Sequence, residues 1–186
     1  MTGIAATVGG SLAIAAASTL GDFIWATWLP VHQVVYGLIH GMLLFVAVGL
    51  FLGIIGGRPA AGAVGGGMIG FAAAGVFYVL APLMGFAAMF PAWVGLWIAM
   101  AALYGRLVGR RIEPGARYGG AERAAIATRG ALAAVASGLG FYTISGIWRP
   151  FNPQGWDYVV HFGAWIVAYL PGFAALLVAK GRNTKA

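Results

Sequence analysis

Few side chains in this sequence could do chemistry, and those few recur at helical spacing. His32, Tyr36 and His40 stand four residues apart, which on an α-helix places them along one line. Asp157 and His161 repeat the spacing. A carboxylate and an imidazole one turn apart form a workable half-site for a metal, so His40, His161 and Asp157 are the candidate ligands. The same two histidines, on different helices at comparable depth, are chemically sound axial ligands for a b-type haem. Another reading needs no cofactor. Asp22 pairs with a histidine or with Arg149, and Tyr36, Tyr78 and Tyr142 satisfy the remaining polar atoms of a pocket that recognises a small molecule, a lipid headgroup or a proton. The plainest alternative is that these groups cap helices and satisfy one another near a membrane surface.

Absences narrow the field. There is no cysteine, which excludes disulfides, thiolate metal sites and cysteine nucleophiles. Gly65-Gly66-Gly67 is no phosphate loop, because no Lys-Ser/Thr follows and the glycines lie in an apolar run. No serine stands with a histidine and an acid in a recognisable triad, and Ser137 and Ser145 read as helix-packing residues. The sequence names no reaction, and no motif carries a family resemblance.

The elements that must position these residues follow from composition. Of 186 residues, 61% are hydrophobic and 8% charged, against roughly 25% charged in a soluble domain. Fifteen charged side chains, 11 basic and 4 acidic, cannot build a water-facing surface, so a soluble enzyme and a disordered chain are both excluded. The 31 glycines have no three-residue period, which excludes collagen. The net charge of +7 comes from basic residues between apolar runs, where cytoplasmic loops keep them, so no nucleic-acid partner is expected.

A membrane-spanning helix needs about 20 mostly apolar residues. Six segments qualify, over residues 3–28, 31–56, 60–82, 86–107, 122–147 and 156–180. Pro30, Arg58-Pro59, the stretch from Pro82 to Gly85, and Arg149-Pro150 through Gly155 punctuate them, and residues 108–121 form one long polar connection. Arg58, the cluster Arg106, Arg110, Arg111, Arg117 and Arg123, and the terminal Lys180, Arg182 and Lys185 then all fall on one side, leaving only Arg149 on the other. The positive-inside bias makes that side cytoplasmic, with both termini there. A competing reading takes the first segment as a signal peptide, but no Lys or Arg precedes its apolar run.

Phe90-Pro-Ala-Trp93 in the fourth segment echoes Phe162-Gly-Ala-Trp165 in the sixth, and Gly75-Val-Phe77-Tyr78 echoes Gly140-Phe141-Tyr142. These echoes predict tandem parallel hairpins over residues 1–57, 58–112 and 120–184 in one transmembrane domain. Gly37, Gly41, Gly49, Gly53 and Gly57, and then Gly62, Gly66, Gly70 and Ala74, form small-residue stripes, as do Gly130, Ala134 and Gly138. Such stripes bring helices together, either within the chain or at a homo-oligomer interface. Trp25, Trp28, Trp148 and Trp156 fit an interfacial belt, while Trp93, Trp97 and Trp165 lie deeper, in packing or around a cavity.

The expectation is an all-α six-helix bundle in the inner membrane of a bacterium. The acids and histidines outside the cytoplasmic connections gather in its outer half, and the inner half is nearly all Ala, Gly, Leu, Ile and Val. The expected role is to bind or pass a small ligand or lipid, or to serve as a membrane subunit of a larger complex. The alternative is a metal- or haem-containing redox protein.

Overall fold

The computed structural model describes residues 3–28, 33–112 and 155–178, with positions 124, 127, 128, 130–132, 134, 135 and 138 between them. Every regular element among the described residues is helical. We label them α1 (Gly3–Trp28), α2 (Gln33–Ile55), α3 (Pro59–Met84), a 3-10 turn (Gly85–Ala88), α4 (Met89–Ile112) and α5 (Trp156–Leu177). Helix α5 is the sixth apolar segment of the sequence. Four helical stretches are long and apolar enough to cross a membrane: Gly3–Ile24, Val34–Ile55, Pro59–Val108 and Trp156–Leu177. The third has 50 residues, more than twice the length one crossing needs, and it takes in α3 and most of α4.

Helix boundaries depart from expectation in two places. Pro82 does not end the third segment but lies inside α3, which runs on to Met84. Proline there costs one backbone bond near a helix end, which a membrane helix tolerates. The break comes at Gly85, whose φ of 57° is open to a residue without Cβ. The 108–121 connection is also not loop throughout, because α4 continues to Ile112 and carries Arg106, Arg110 and Arg111. Straight-chain arginines are good helix formers.

The surface distribution is that of a protein solvated by lipid. Leu83, Val79 and Met68 are 85%, 74% and 69% exposed, while Thr7, Ser11 and Ser18 are buried. Water would penalise that much exposed apolar surface, whereas hydrocarbon penalises bare polar groups instead.

The tightest seam lies between α2 and α3, which run antiparallel. A Cβ at Gly41 would stand 3.0 Å from the Ala74 Cβ, and one at Gly66 would stand 2.8 Å from the Gly49 Cα. Added carbons at Gly49 and Gly62 would each collide with the other's carbonyl oxygen. The glycine stripes of these two helices therefore pack against each other within the chain. Dispersion and Cα–H···O contacts hold such a pair where lipid supplies no hydrophobic drive.

Helix α1 packs antiparallel against α5, from Gly3 beside Leu177 to Phe23 against Tyr158, ring centroids 5.2 Å apart. It also meets α2 antiparallel, with Gly10 under Phe51 and Gly21 under His40. So the closest glycine seam joins α2 to α3, across the expected boundary at residues 57–58. Gly130 lies against Ile98 and Gly138 against Phe90, which sets the described part of the fifth segment antiparallel to α4. Most of that segment, and with it the second half of the expected hairpin repeat, lies outside the described residues.

An aromatic column fills the core. Trp165, Tyr169 and Phe173 recur every four residues on α5, and Trp165 stacks on Tyr169 at 5.5 Å with planes 16° apart. Trp93 and Trp97 of α4 lean on the same column. The Trp97 indole N–H is buried with no hydrogen-bond partner among the described residues. That costs about 1–3 kcal/mol, which the burial of the whole indole surface offsets. Deep tryptophans here are packing residues, and Trp165 has a second role described next.

Candidate functional site

Three helices meet at Asp22. Near the end of α1, its carboxylate faces α2 on one side and α5 on the other. His161 Nε2 lies 2.7 Å from Asp22 Oδ2, and Trp165 Nε1 donates to the same oxygen at 2.9 Å. His161 and Trp165 are one turn apart, so a single face of α5 supplies both donors. On the α2 side, His40 Nε2 lies 3.1 Å from Asp22 Oδ1 but off the line a hydrogen bond needs. Tyr36, one turn before His40, stacks on its ring at 5.1 Å. The Tyr36 hydroxyl is 2.9 Å from His40 Nδ1, 3.3 Å from the Gly21 carbonyl and 3.5 Å from Asp22 Oδ1.

These distances assign the protons. A carboxylate only accepts. A bare imidazole lone pair 2.7 Å from it would be repelled, so His161 Nε2 carries hydrogen. The Trp165 N–H then serves Asp22, not His161, although His161 Nε2 is 3.1 Å away. By the same argument His40 carries hydrogen on Nε2, and its Nδ1 accepts from Tyr36. The carboxylate is thus held by two donors from α5, charge-assisted and stronger than neutral pairs, while His40 and Tyr36 of α2 stand close to its other oxygen.

Close approach of the backbones makes this geometry accessible. A Cβ at Gly21 would stand 2.9 Å from His40 Cε1 and 3.2 Å from Nδ1, so glycine beside Asp22 is what lets the imidazole reach the carboxylate. Gly21→Ala is expected to cost about 1 kcal/mol in thermal unfolding of the purified protein, and little in a His40→Ala background. Equal losses in both backgrounds would remove His40 from the explanation. Likewise, a Cβ at Gly37 would collide with the Tyr78 hydroxyl of α3, so Tyr78 reaches α2 beside Tyr36.

The centre is partly open. The side chains of Asp22, His40 and His161 are 14%, 16% and 19% exposed. One turn below Asp22 the site closes, where Ser18 and Tyr169, both fully buried, share a hydrogen bond of 3.1 Å. Further down the same face of α1, Ser11 bonds to the Thr7 carbonyl at 2.8 Å, and Thr7 reaches both the Gly3 and Phe173 carbonyls. The half of the bundle away from Asp22 is therefore not purely apolar. The hydroxyls escape a composition count because each bonds to its own helix.

The sequence-derived candidates separate clearly. Asp22, Tyr36, His40 and His161 come together, with Tyr78 next to them. Asp157 lies exposed in the first turn of α5, and the carboxylate within 2.7 Å of His161 is that of Asp22. His32, Tyr142 and Arg149 lie outside the described residues. Among the described residues no three His, Cys, Asp or Glu side chains form a group that could hold a metal. The two imidazoles face different oxygens of one carboxylate. Trp165, Ser18 and Tyr169 are the site residues that sequence reasoning missed as such. The available signal was spacing: Ser18 and Asp22, like His161, Trp165 and Tyr169, stand four apart.

No family model matches the chain, and neither a curated protein nor a solved structure matches it.

Proposed function

We propose that this is a six-span inner-membrane protein, termini cytoplasmic, that binds or passes a small ligand or lipid at the Asp22 centre in its extracytoplasmic half. One observation carries the reading: a carboxylate in an apolar bundle, gathered with side chains of two other helices yet left partly open. Structural polar groups in a membrane are normally closed off, and an intramembrane carboxylate marks a functional site by default. The antiparallel seams support an alternation in which the ends of α1 and α3 and the starts of α2, α4 and α5 share one face. The basic residues Arg58 and Arg106 lie toward the opposite face, as positive-inside orientation requires.

A reporter fused after Lys185 is expected in the cytoplasm and one inserted at Asn152 outside. Finding both on the same side would end the six-span account. Because the chain has no cysteine, a single Tyr36→Cys also reads the site directly. It should react with a membrane-impermeant maleimide added from outside in intact cells, and failure to react would contradict an outward-open centre. Visible absorption and metal analysis of the purified protein separate this reading from the redox one, since a haem band or a stoichiometric metal would overturn it. A membrane-subunit role, or a homo-oligomer, would instead show as a defined larger particle in mild detergent.

A further inference from the structure

We propose that the Asp22 centre takes a lipophilic organic monocation, held in a groove between α1 and α5 with its charge drawn toward the neighbouring carboxylate. The proposal rests on the reading of this centre as a binding site and names the class of its ligand.

Charge is the first argument. The chain has four acids, and Asp22 alone lies within an apolar segment and away from its first turn; Glu113 and Glu122 flank the polar connection, and Asp157 opens α5. Its partners are a tyrosine, a tryptophan and two imidazoles, none with a permanent positive charge. Among the described residues its ion-pair contacts are with His40 and His161 and with no Lys or Arg. With no Lys or Arg beside it among the described residues, the carboxylate attracts a cation and repels an anion of equal size.

The second argument is the surroundings. Tyr36 and Trp165 approach the carboxylate, and Phe23 and Tyr158, in edge contact with each other, line the adjoining groove. Aromatic faces attract organic cations within about 6 Å, and the gain rises as water is excluded.

The groove supplies the third argument. It measures about 480 Å³ and is lined by Ala16, Thr19, Leu20, Phe23, Tyr158 and Phe162. Ligand sites commonly span about 300–1,000 Å³. Its lining surface is apolar and it opens outward, so it suits a molecule arriving from the lipid. It flanks the centre closely: Phe23 follows Asp22 in the chain, Phe162 follows His161, and Thr19 lies about 60° round the helix from Asp22. An apolar body there leaves its charged end within a helix's width of the carboxylate.

The test uses two probes of the same size and shape but opposite charge, tetraphenylphosphonium and tetraphenylborate. Each is titrated against the full chain in detergent, with tryptophan fluorescence as the readout and empty micelles as the blank. Saturable binding of the cation is expected, at least tenfold tighter than of the anion. Asp22→Asn should weaken cation binding tenfold or more, and Asp22→Glu should restore part of it. Ala16→Trp, which fills the groove and leaves Asp22 in place, should also weaken it, and so keeps the test decisive if Asp22→Asn does not fold. No saturable cation binding, equal binding of the two ions, or binding unaffected by Ala16→Trp would overturn the proposal. Failure here differs from failure of the binding reading itself. A neutral lipid that copurifies with the wild-type chain and is lost from Asp22→Asn, seen by native mass spectrometry, would sink the cation and leave the site.

Discussion

Gly66→Leu is expected to abolish the folded bundle, not merely to weaken it. An added Cβ at Gly66 would stand 2.8 Å from the Gly49 Cα and would collide with the Phe45 carbonyl oxygen. Both are backbone, so no rotamer change relieves the clash, and two helices would have to separate along their length. Phe45, Val48 and Leu52 of α2 are buried in the core, so separation would also uncover the aromatic column. Over-packing in a well-filled interior costs about 1–3 kcal/mol when side chains can move, and here they cannot. The variant should aggregate on extraction in mild detergent, where wild type runs as one species. Gly75→Leu is the control, since nothing lies within 4 Å of a Cβ there, and it should behave as wild type.

The second large effect is expected at Asp22. Asparagine has the same shape but only one acceptor oxygen. Asp22 Oδ2 accepts from His161 and Trp165, while Oδ1 faces His40 and Tyr36. Turned one way, its NH₂ group meets the His161 and Trp165 N–H donors; turned the other way, it keeps those bonds but loses the charge that strengthens them. Charge-assisted bonds of this kind contribute about 1.5–3 kcal/mol each in water-soluble proteins, and hydrogen bonds between membrane helices average nearer 0.6, with a maximum of about 1.7. A loss of about 1–3 kcal/mol is therefore expected for Asp22→Asn, read as a lower thermal midpoint of the purified protein. An unchanged midpoint would mean that Asp22 does not tie α1 to its neighbours.

Much of this architecture is legible in the sequence because a membrane simplifies the rules. Long apolar runs announce helices. The glycines at 41, 49 and 53 and at 62, 66 and 70 announce close packing, because lipid gives no other reason to spend so many. Their pairing across the α2–α3 connection is less legible, since stripes on several helices are equivalent until a partner is chosen. The helical continuation through Pro82 and into Arg110 was hidden by residues that usually end or flank a span.

The site is half legible. Asp22, His40 and His161 stand out because ionisable groups are rare at that position in an apolar helix. Their spacing within each helix shows that His40 shares a face with Tyr36, but which carboxylate His161 meets depends on how α1 docks against α5. The contact with Asp22, 139 residues away in sequence, is one that spacing within α5 could not show. Ser18, Trp165 and Tyr169 were invisible as site residues because serine and aromatics are ordinary in membrane helices, and only the docked pair shows them in contact.

A double-mutant cycle on Asp22 and His161 tests the central claim most directly, because the closest contact of the centre joins these two residues across α1 and α5. Asp22→Asn, His161→Ala and the double variant are compared by reversible unfolding in the same detergent. The structure predicts that the two effects are non-additive by about 0.5 kcal/mol or more, the second substitution costing less once the first has removed its partner. Additive effects would contradict a shared centre and leave the two groups as separate residues near a membrane surface.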